Sequence, residues 1–87
     1  MPERDEPRTP DFAELRFFLA RMRRERRLTL EQLAERSGIG RRSLVQLESG
    51  ESRGTLATWF AVAEGLDVEI GVLVSALYGP GRERRVK

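Results

Sequence analysis

The apolar side chains of residues 11–26 recur at the spacing of one helix face. They are Phe12, Leu15, Phe18, Leu19 and Met22. Apolar residues that lie three and four positions apart share one side of an α-helix. Asp11 precedes this stripe, and aspartate is a residue type that caps helix N-termini. The pattern therefore predicts a first helix over about residues 11–26 that begins at Asp11.

A second helix is predicted over about residues 30–37. Thr29 and Gln32 have the spacing of a capping box, in which the threonine hydroxyl and the glutamine side chain each accept a hydrogen bond from the other residue's backbone N–H. Gly38 should end the helix, because glycine adopts the left-handed backbone conformation that terminates many helices.

A third helix is predicted over about residues 41–48, with Leu44 and Leu47 facing inward and Gly50 at its end. Only Gly38–Gly40 separate it from the second helix. Two helices joined by such a short turn form a helix-turn-helix unit. A fourth helix is predicted over about residues 56–65, after a capping threonine and a polar, glycine-rich loop.

Residues 67–78 fit two patterns. Alternating β-branched residues from Val68 to Val74 are typical of a strand. Ile70, Leu73 and Leu77 also form a helical stripe. We favour a fifth helix, because four helices need a covering element and an isolated strand would have no neighbour within the chain. The alternative is a strand that pairs with its copy across a dimer.

The length of 87 residues allows one small domain. Residues 1–10 are proline-rich and charged, which predicts a disordered lead; residues 11–78 form the domain, and residues 79–87 a flexible basic tail. Cysteine and histidine are both absent from the sequence, and no paired carboxylates or phosphate-binding loop replace them. We therefore expect neither an enzyme nor a metal or other cofactor. No apolar run is long enough to span a membrane and no signal peptide is evident, so we expect a soluble, cytoplasmic protein.

The charge is unevenly distributed although the net charge is only +2. Residues 11–27 carry six arginines against three acidic residues, whereas residues 55–79 carry three acidic residues and no cation. The last eight residues are basic again. Such an asymmetry favours a polyanionic partner more strongly than the total charge does.

The segments LTLEQLAERSGIG, SLVQLESG and TLATWFAVAEGLDV resemble the phage repressor/Cro and XRE-type helix-turn-helix family. The resemblance covers about residues 12–77. It implies an all-α, compact five-helix, lambda-repressor-like domain whose third helix enters the DNA major groove. The chain departs from the family pattern at Arg27, where a turn glycine is common, and at Leu30, where a phosphate-clamping glutamine is common.

Residues that contact DNA follow from the same resemblance. The expected base-contacting residues are Arg41, Arg42 and Gln46. Two arginines are unfavourable at the positive end of a helix dipole, but a guanidinium donates two parallel hydrogen bonds to guanine. The expected phosphate-contacting residues are Thr29, Gly40, Ser43, Ser49 and Arg53.

Arg23 and Glu48 lie at family positions that pair across the first and third helices. We expect this ion pair to fix the angle of the third helix and not to contact DNA.

The preferred hypothesis is a sequence-specific transcriptional regulator that binds double-stranded DNA as a homodimer. Its dimer contact is expected at Trp59, Phe60, Leu73, Leu77 and Tyr78, although the monomer core is the favoured place for Trp59. An alternative is an antitoxin-like or anti-regulator protein that binds a partner protein through residues 67–87 and autoregulates by binding DNA. A protein-interaction module that has lost DNA binding is a third possibility.

Overall fold

The computed structural model describes residues 8–80, in which short turns join successive helices. In chain order the helices are α1 (Phe12–Glu25), α2 (Leu30–Ser37), α3 (Arg41–Ser49), α4 (Leu56–Leu66) and α5 (Ile70–Val74), and a 3-10 turn (Ser75–Tyr78) follows α5. This confirms the predicted all-α class with five helices and the helix-turn-helix at α2 and α3. Residues 1–7 and 81–87, which include most of the predicted lead and basic tail, lie outside the described residues.

Side chains cap the first turns of three helices. Asp11 Oδ1 accepts a hydrogen bond from the Glu14 backbone N–H at 2.9 Å, and Thr55 caps α4 in the same way. At α2 the capping box is present: Thr29 Oγ1 accepts from the Gln32 N–H at 3.0 Å, and Gln32 Oε1 accepts from the Thr29 N–H at 2.8 Å. A cap of this kind stabilises a helix by roughly 1 kcal/mol. Local chemistry therefore sets where α1, α2 and α4 begin.

One apolar cluster to which all five helices contribute forms the core. Its buried members are Leu15, Leu19, Met22, Leu33, Leu44, Leu47, Trp59, Val62, Ala63, Leu66 and Leu73. Removing a large apolar side chain from water contributes roughly 1.5–3 kcal/mol, so this cluster is the main source of stability.

Two members of the core correct the predicted dimer contact. Trp59 is buried, and its indole N–H donates to the Arg53 backbone oxygen at 2.7 Å. Leu73 is completely buried within the single chain. Their placement in the interface is therefore wrong, because both side chains are already packed inside the monomer. Trp59 lies in the monomer core, which is the location that the sequence analysis favours for it.

From residue 70 to residue 78 this segment is helical, so the alternative of a dimerising strand is wrong. Between residues 8 and 80 the chain contains no strand. Leu73 is fully buried while Ile70 and Leu77 are half-buried against the core, which is the spacing of one helix face. A strand would have turned Leu73 away from Ile70. The segment also holds the start of α1, since the Asp11 N–H donates to the Leu77 backbone oxygen at 2.8 Å.

Two arginines bind the C-terminal end of α4. Arg26 Nε donates to the Leu66 backbone oxygen at 2.9 Å, and Arg36 Nε donates to the Gly65 backbone oxygen at 2.8 Å. Cations are favourable at this end because the last carbonyl groups of a helix carry partial negative charge. Gly65 also allows α2 to approach α4, since a β-carbon there would lie 2.9 Å from the Ser37 Cβ. These contacts fix α2 of the helix-turn-helix against the rest of the domain.

Candidate nucleic-acid interface

The N-terminus of α3 differs from those of α1, α2 and α4 because no side chain caps it. Gly40 is the N-cap residue and makes no side-chain hydrogen bond. Arg41, Arg42 and Ser43 follow it and are all exposed. The backbone N–H groups of a first helical turn have no partner within the helix and carry partial positive charge. This end of α3 is therefore suited to an anion.

The two arginines of this turn differ in their contacts. Arg41 Nε lies 2.9 Å from Glu31 Oε2 on α2, and the two side chains remain 56% and 69% exposed. The side chain of Arg42 makes neither a hydrogen bond nor an ion pair with any part of residues 8–80. An exposed ion pair contributes about 0–1 kcal/mol, so the pair with Glu31 orients Arg41 only weakly. Both guanidinium groups can therefore donate to an external ligand.

The outward side of α3 carries Arg41, Arg42, Val45 and Ser49, all of which are exposed, while Leu44 and Leu47 face the core. We call these four residues the outward face. Gln46, which was predicted to contact bases, is half-buried at its edge. Val45 was not predicted, although it lies four residues after Arg41 and therefore on the same side of the helix.

Thr29 is exposed, and the capping box already uses its hydroxyl oxygen and its backbone N–H. Its hydroxyl oxygen accepts from the Gln32 backbone, and its own backbone N–H donates to Gln32 Oε1. The hydroxyl proton is still available as a donor, because the capping bond uses only an oxygen lone pair. Thr29 can therefore cap α2 and donate to an external anion together.

A cleft of about 240 Å³ lies between α1 and the loop that follows α3. Two guanidinium groups border it, and each lies over an aromatic ring: Arg53 at 4.6 Å from the Phe12 centroid and Arg16 at 4.7 Å from the Phe17 centroid. Neither arginine pairs with a carboxylate of the described chain. Stacking on a ring holds an arginine in place and leaves its N–H groups free to donate.

Arg16 was not predicted as a site residue. Its Nη1 donates weakly to the Glu48 backbone oxygen at 3.4 Å, at the end of α3. A β-carbon on Gly50 would lie 2.8 Å from Arg16 Nε, so glycine is needed for this approach. Because α1 and this loop are distant in the sequence, helical periodicity alone gave no signal for the contact. Ser49 and Ser52 also line the cleft, and their hydroxyl groups are hydrogen-bonded to the backbone of the same loop and the end of α3.

A bidentate ion pair joins α1 to α3. Arg23 Nε donates to Glu48 Oε2 at 2.7 Å and Arg23 Nη2 donates to Glu48 Oε1 at 3.2 Å, and each side chain is only 15% exposed. Arg23 Nη1 also donates to the Leu28 backbone oxygen at 2.8 Å. Parallel charge-assisted bonds of this kind impose a defined geometry. The pair therefore fixes the end of α3 relative to α1 and to the turn before α2, and it keeps the Glu48 carboxylate away from the outward face.

A family model described as helix-turn-helix matches residues 19–73, a stretch that includes α2, α3 and α4. The chain belongs to the XRE-type helix-turn-helix family. This is a family of DNA-binding transcriptional regulators. Its model leaves out the first turns of α1, where Phe12 and Arg16 border the cleft.

Two known proteins are similar to this XRE-type chain. The HTH-type transcriptional regulator SutR of Escherichia coli (strain K12) is 37% identical over 57 residues, which are 66% of this chain. The chain spans about a third of the length of that relative (32%). A crystal structure of a mutant of the restriction-modification controller protein C.Esp1396I has a TM-score of 0.70 at 24% identity, covering 77% of this chain and 87% of that one. The latter likeness is one of fold.

Residues 8–80 contain no group of three or more acidic side chains placed to hold a metal ion. None of the helices in this range is long and apolar enough to cross a membrane.

Proposed function

We propose that the protein is a sequence-specific transcriptional regulator that binds double-stranded DNA as a homodimer, with α3 in the major groove. The observation that carries the proposal is the pair of exposed arginines on the uncapped first turn of α3. A guanidinium can donate two parallel hydrogen bonds to O6 and N7 of guanine. Arg41 and Arg42 are therefore proposed to contact guanine, and Gln46 an adjacent base from the edge of the outward face.

Phosphate contacts are proposed on both sides of these bases. The N–H groups after Gly40, together with Ser43 and the Thr29 hydroxyl, would bind the backbone at the start of α3. Ser49, Arg53 and Arg16 would bind it at the other end, where the cleft presents two guanidinium groups. Contacts at both ends of α3 would fix its position along the groove.

The rigidity of α3 supports this function. A side chain contacts a base specifically only if its helix is held at one angle, because hydrogen bonds weaken steeply with misalignment. The Arg23–Glu48 pair and the buried Leu44 and Leu47 fix α3 to the rest of the domain.

An exposed apolar surface on α4 and α5 is the proposed dimer contact. Leu56 is 74% and Phe60 54% exposed. Leu56, Phe60 and Ile70 line a shallow groove there. Monomeric proteins rarely leave large apolar side chains clustered in water. We therefore propose Phe60 as a contact residue, as the sequence predicts, together with Leu56 and Ile70 in place of the buried Trp59 and Leu73. Two copies would place their α3 helices about 34 Å apart, in successive turns of the groove.

A second candidate function rests on a different groove. Val74, Leu77 and Tyr78 line an apolar groove of about 350 Å³ together with residues 8–10. This groove could bind a partner protein, as in the antitoxin-like alternative, and leave α3 free for DNA. Pull-down with a companion protein would test it, and competition by DNA for the same surface would contradict it.

In vitro selection of bound duplexes followed by footprinting tests the main proposal. We expect a two-fold symmetric site with half-sites one helical turn apart. Recovery of a single asymmetric half-site would contradict the homodimer, and the absence of any enriched sequence would contradict specific binding.

Salt titration tests the phosphate contacts near the cleft. Each phosphate contact contributes about −0.9 to the slope of log affinity against log salt. Arg16→Gln and Arg53→Gln should each make the slope shallower by about that amount. Arg24→Gln is the matched control, because Arg24 is an exposed α1 arginine with no contact to the cleft. Equal slopes for Arg16→Gln and Arg24→Gln would contradict the role of Arg16.

A further inference from the structure

Val45 is the one apolar residue of the outward face of α3. It is 36% exposed and is not one of the buried residues of the core. Its neighbours on that face are Arg41 and Arg42, one turn before it, and Ser49, one turn after it. An apolar side chain thus lies in the middle of a polar, cationic surface.

The buried core does not require a valine at this position. The core side of α3 is supplied by Leu44 and Leu47, which are buried. Valine is a weaker helix former than most residues because its branched side chain restricts χ1 against the preceding turn. A polar residue would be expected on an exposed helix face that serves only solubility.

The major groove has one apolar feature that such a side chain can recognise. Thymine carries a methyl group at C5, whereas the other bases present only donors and acceptors along that edge. Four residues of α-helix rise about 6 Å, and successive bases of one strand are about 3.4 Å apart. A residue one turn after Arg41 would therefore meet a base within one or two steps of the base that Arg41 contacts.

We propose that Val45 is a specificity-determining residue that contacts the C5 methyl group of a thymine one or two steps from the guanine bound by the arginines. The inference rests on the proposed function, since it requires α3 to lie in the major groove. It adds an apolar contact to a site otherwise defined by hydrogen bonds. Each half-site then contains thymine close to guanine.

Replacing thymine by deoxyuridine tests this contact, because uracil pairs identically and lacks only the methyl group. Each thymine of the selected half-site is replaced in turn, and affinity is measured for the full chain. At one position the wild-type protein should bind about fourfold more weakly, which is the effect of losing one buried methyl group. The other thymines serve as internal controls.

Two variants connect the effect to Val45. Val45→Ser removes both methyl groups and should make the affinities for thymine and uracil equal at that position. Val45→Thr keeps one methyl group and should retain part of the discrimination. The exposed position means that both variants should fold, which thermal melting verifies. Retained discrimination in Val45→Ser, or no sensitive position for the wild-type protein, would overturn the inference.

The outcomes separate this inference from the proposed function. Enrichment of a symmetric site that lacks thymine near guanine would overturn the role of Val45 and leave the regulator intact. Failure to enrich any duplex would overturn the function itself, and the role of Val45 with it.

Discussion

We predict that the Arg23–Glu48 ion pair is needed both for folding and for DNA binding. Glu48→Ala should weaken folding and DNA binding together, because Glu48 holds the end of α3 against α1 and does not lie on the outward face. The variant removes two charge-assisted hydrogen bonds from Arg23, at 2.7 and 3.2 Å. The Arg23 guanidinium then keeps one acceptor, the Leu28 backbone oxygen.

The expected magnitude follows from the burial of the pair. Removing one member of a fully buried ion pair costs about 3–5 kcal/mol, mostly because the other charge is left without its partner. Here both side chains are 15% exposed and Arg23 keeps one acceptor, so we expect about 2–3 kcal/mol. For a domain of this size that loss lowers the melting temperature by about 8–24 °C.

Thermal and urea denaturation measure the loss of stability. DNA binding is measured at a temperature where the wild-type protein and Glu48→Ala are both folded. Glu31→Ala is the matched control, because it removes a carboxylate from an exposed pair and should cost less than about 1 kcal/mol. A double-mutant cycle with Arg23→Ala should show a coupling energy close to the loss in Glu48→Ala. Loss of binding with an unchanged melting temperature would refute the reasoning and place Glu48 at the DNA.

Three further variants test separate parts of the structure. Arg41→Ala should cost about 1–3 kcal/mol on the selected duplex and relax the preference at one base, as repeated selection would show; a uniform loss on all duplexes would mark a phosphate contact instead. Arg27→Gly should stabilise the fold by about 0.5–1 kcal/mol in urea denaturation, because Arg27 has a left-handed φ of 57°; a lower midpoint would mean that its side chain matters more than its backbone. Phe60→Glu should convert the dimer to a monomer in sedimentation velocity without lowering the melting temperature of the monomer, and an unchanged sedimentation coefficient would exclude this surface as the contact.

The sequence predicted best what depends on residues near one another in the chain. The caps at Asp11, Thr29 and Thr55 and the glycine at Gly38 act over three or four positions, so the bounds of the first four helices follow from them. The left-handed backbone of Arg27 also agrees with a position where the family commonly has glycine.

The pattern of apolar and polar positions does not predict contacts between segments that are distant in the sequence. Arg26 and Arg36 bind backbone oxygens at the end of α4 that are 40 and 29 residues away in the sequence. The face that α4 turns to its own core was equally undetermined, because apolar residues surround most of the helix and its periodicity is weak. For this reason the pattern does not distinguish Trp59, which is buried, from its neighbour Phe60, which is exposed.

The charges of α3 fall into two sets with different consequences. Glu48 turns inward and its charge is neutralised by Arg23, whereas Arg41 and Arg42 turn outward. The one carboxylate within residues 8–80 that pairs with these outward arginines is Glu31, in an exposed ion pair that a guanine edge or a phosphate can displace at little cost. Stability and base contact are thus carried by different residues of one helix. Glu48→Ala should therefore affect folding and binding in parallel, and Arg41→Ala should affect binding alone; variants that behaved alike would show that the two sets are not separate.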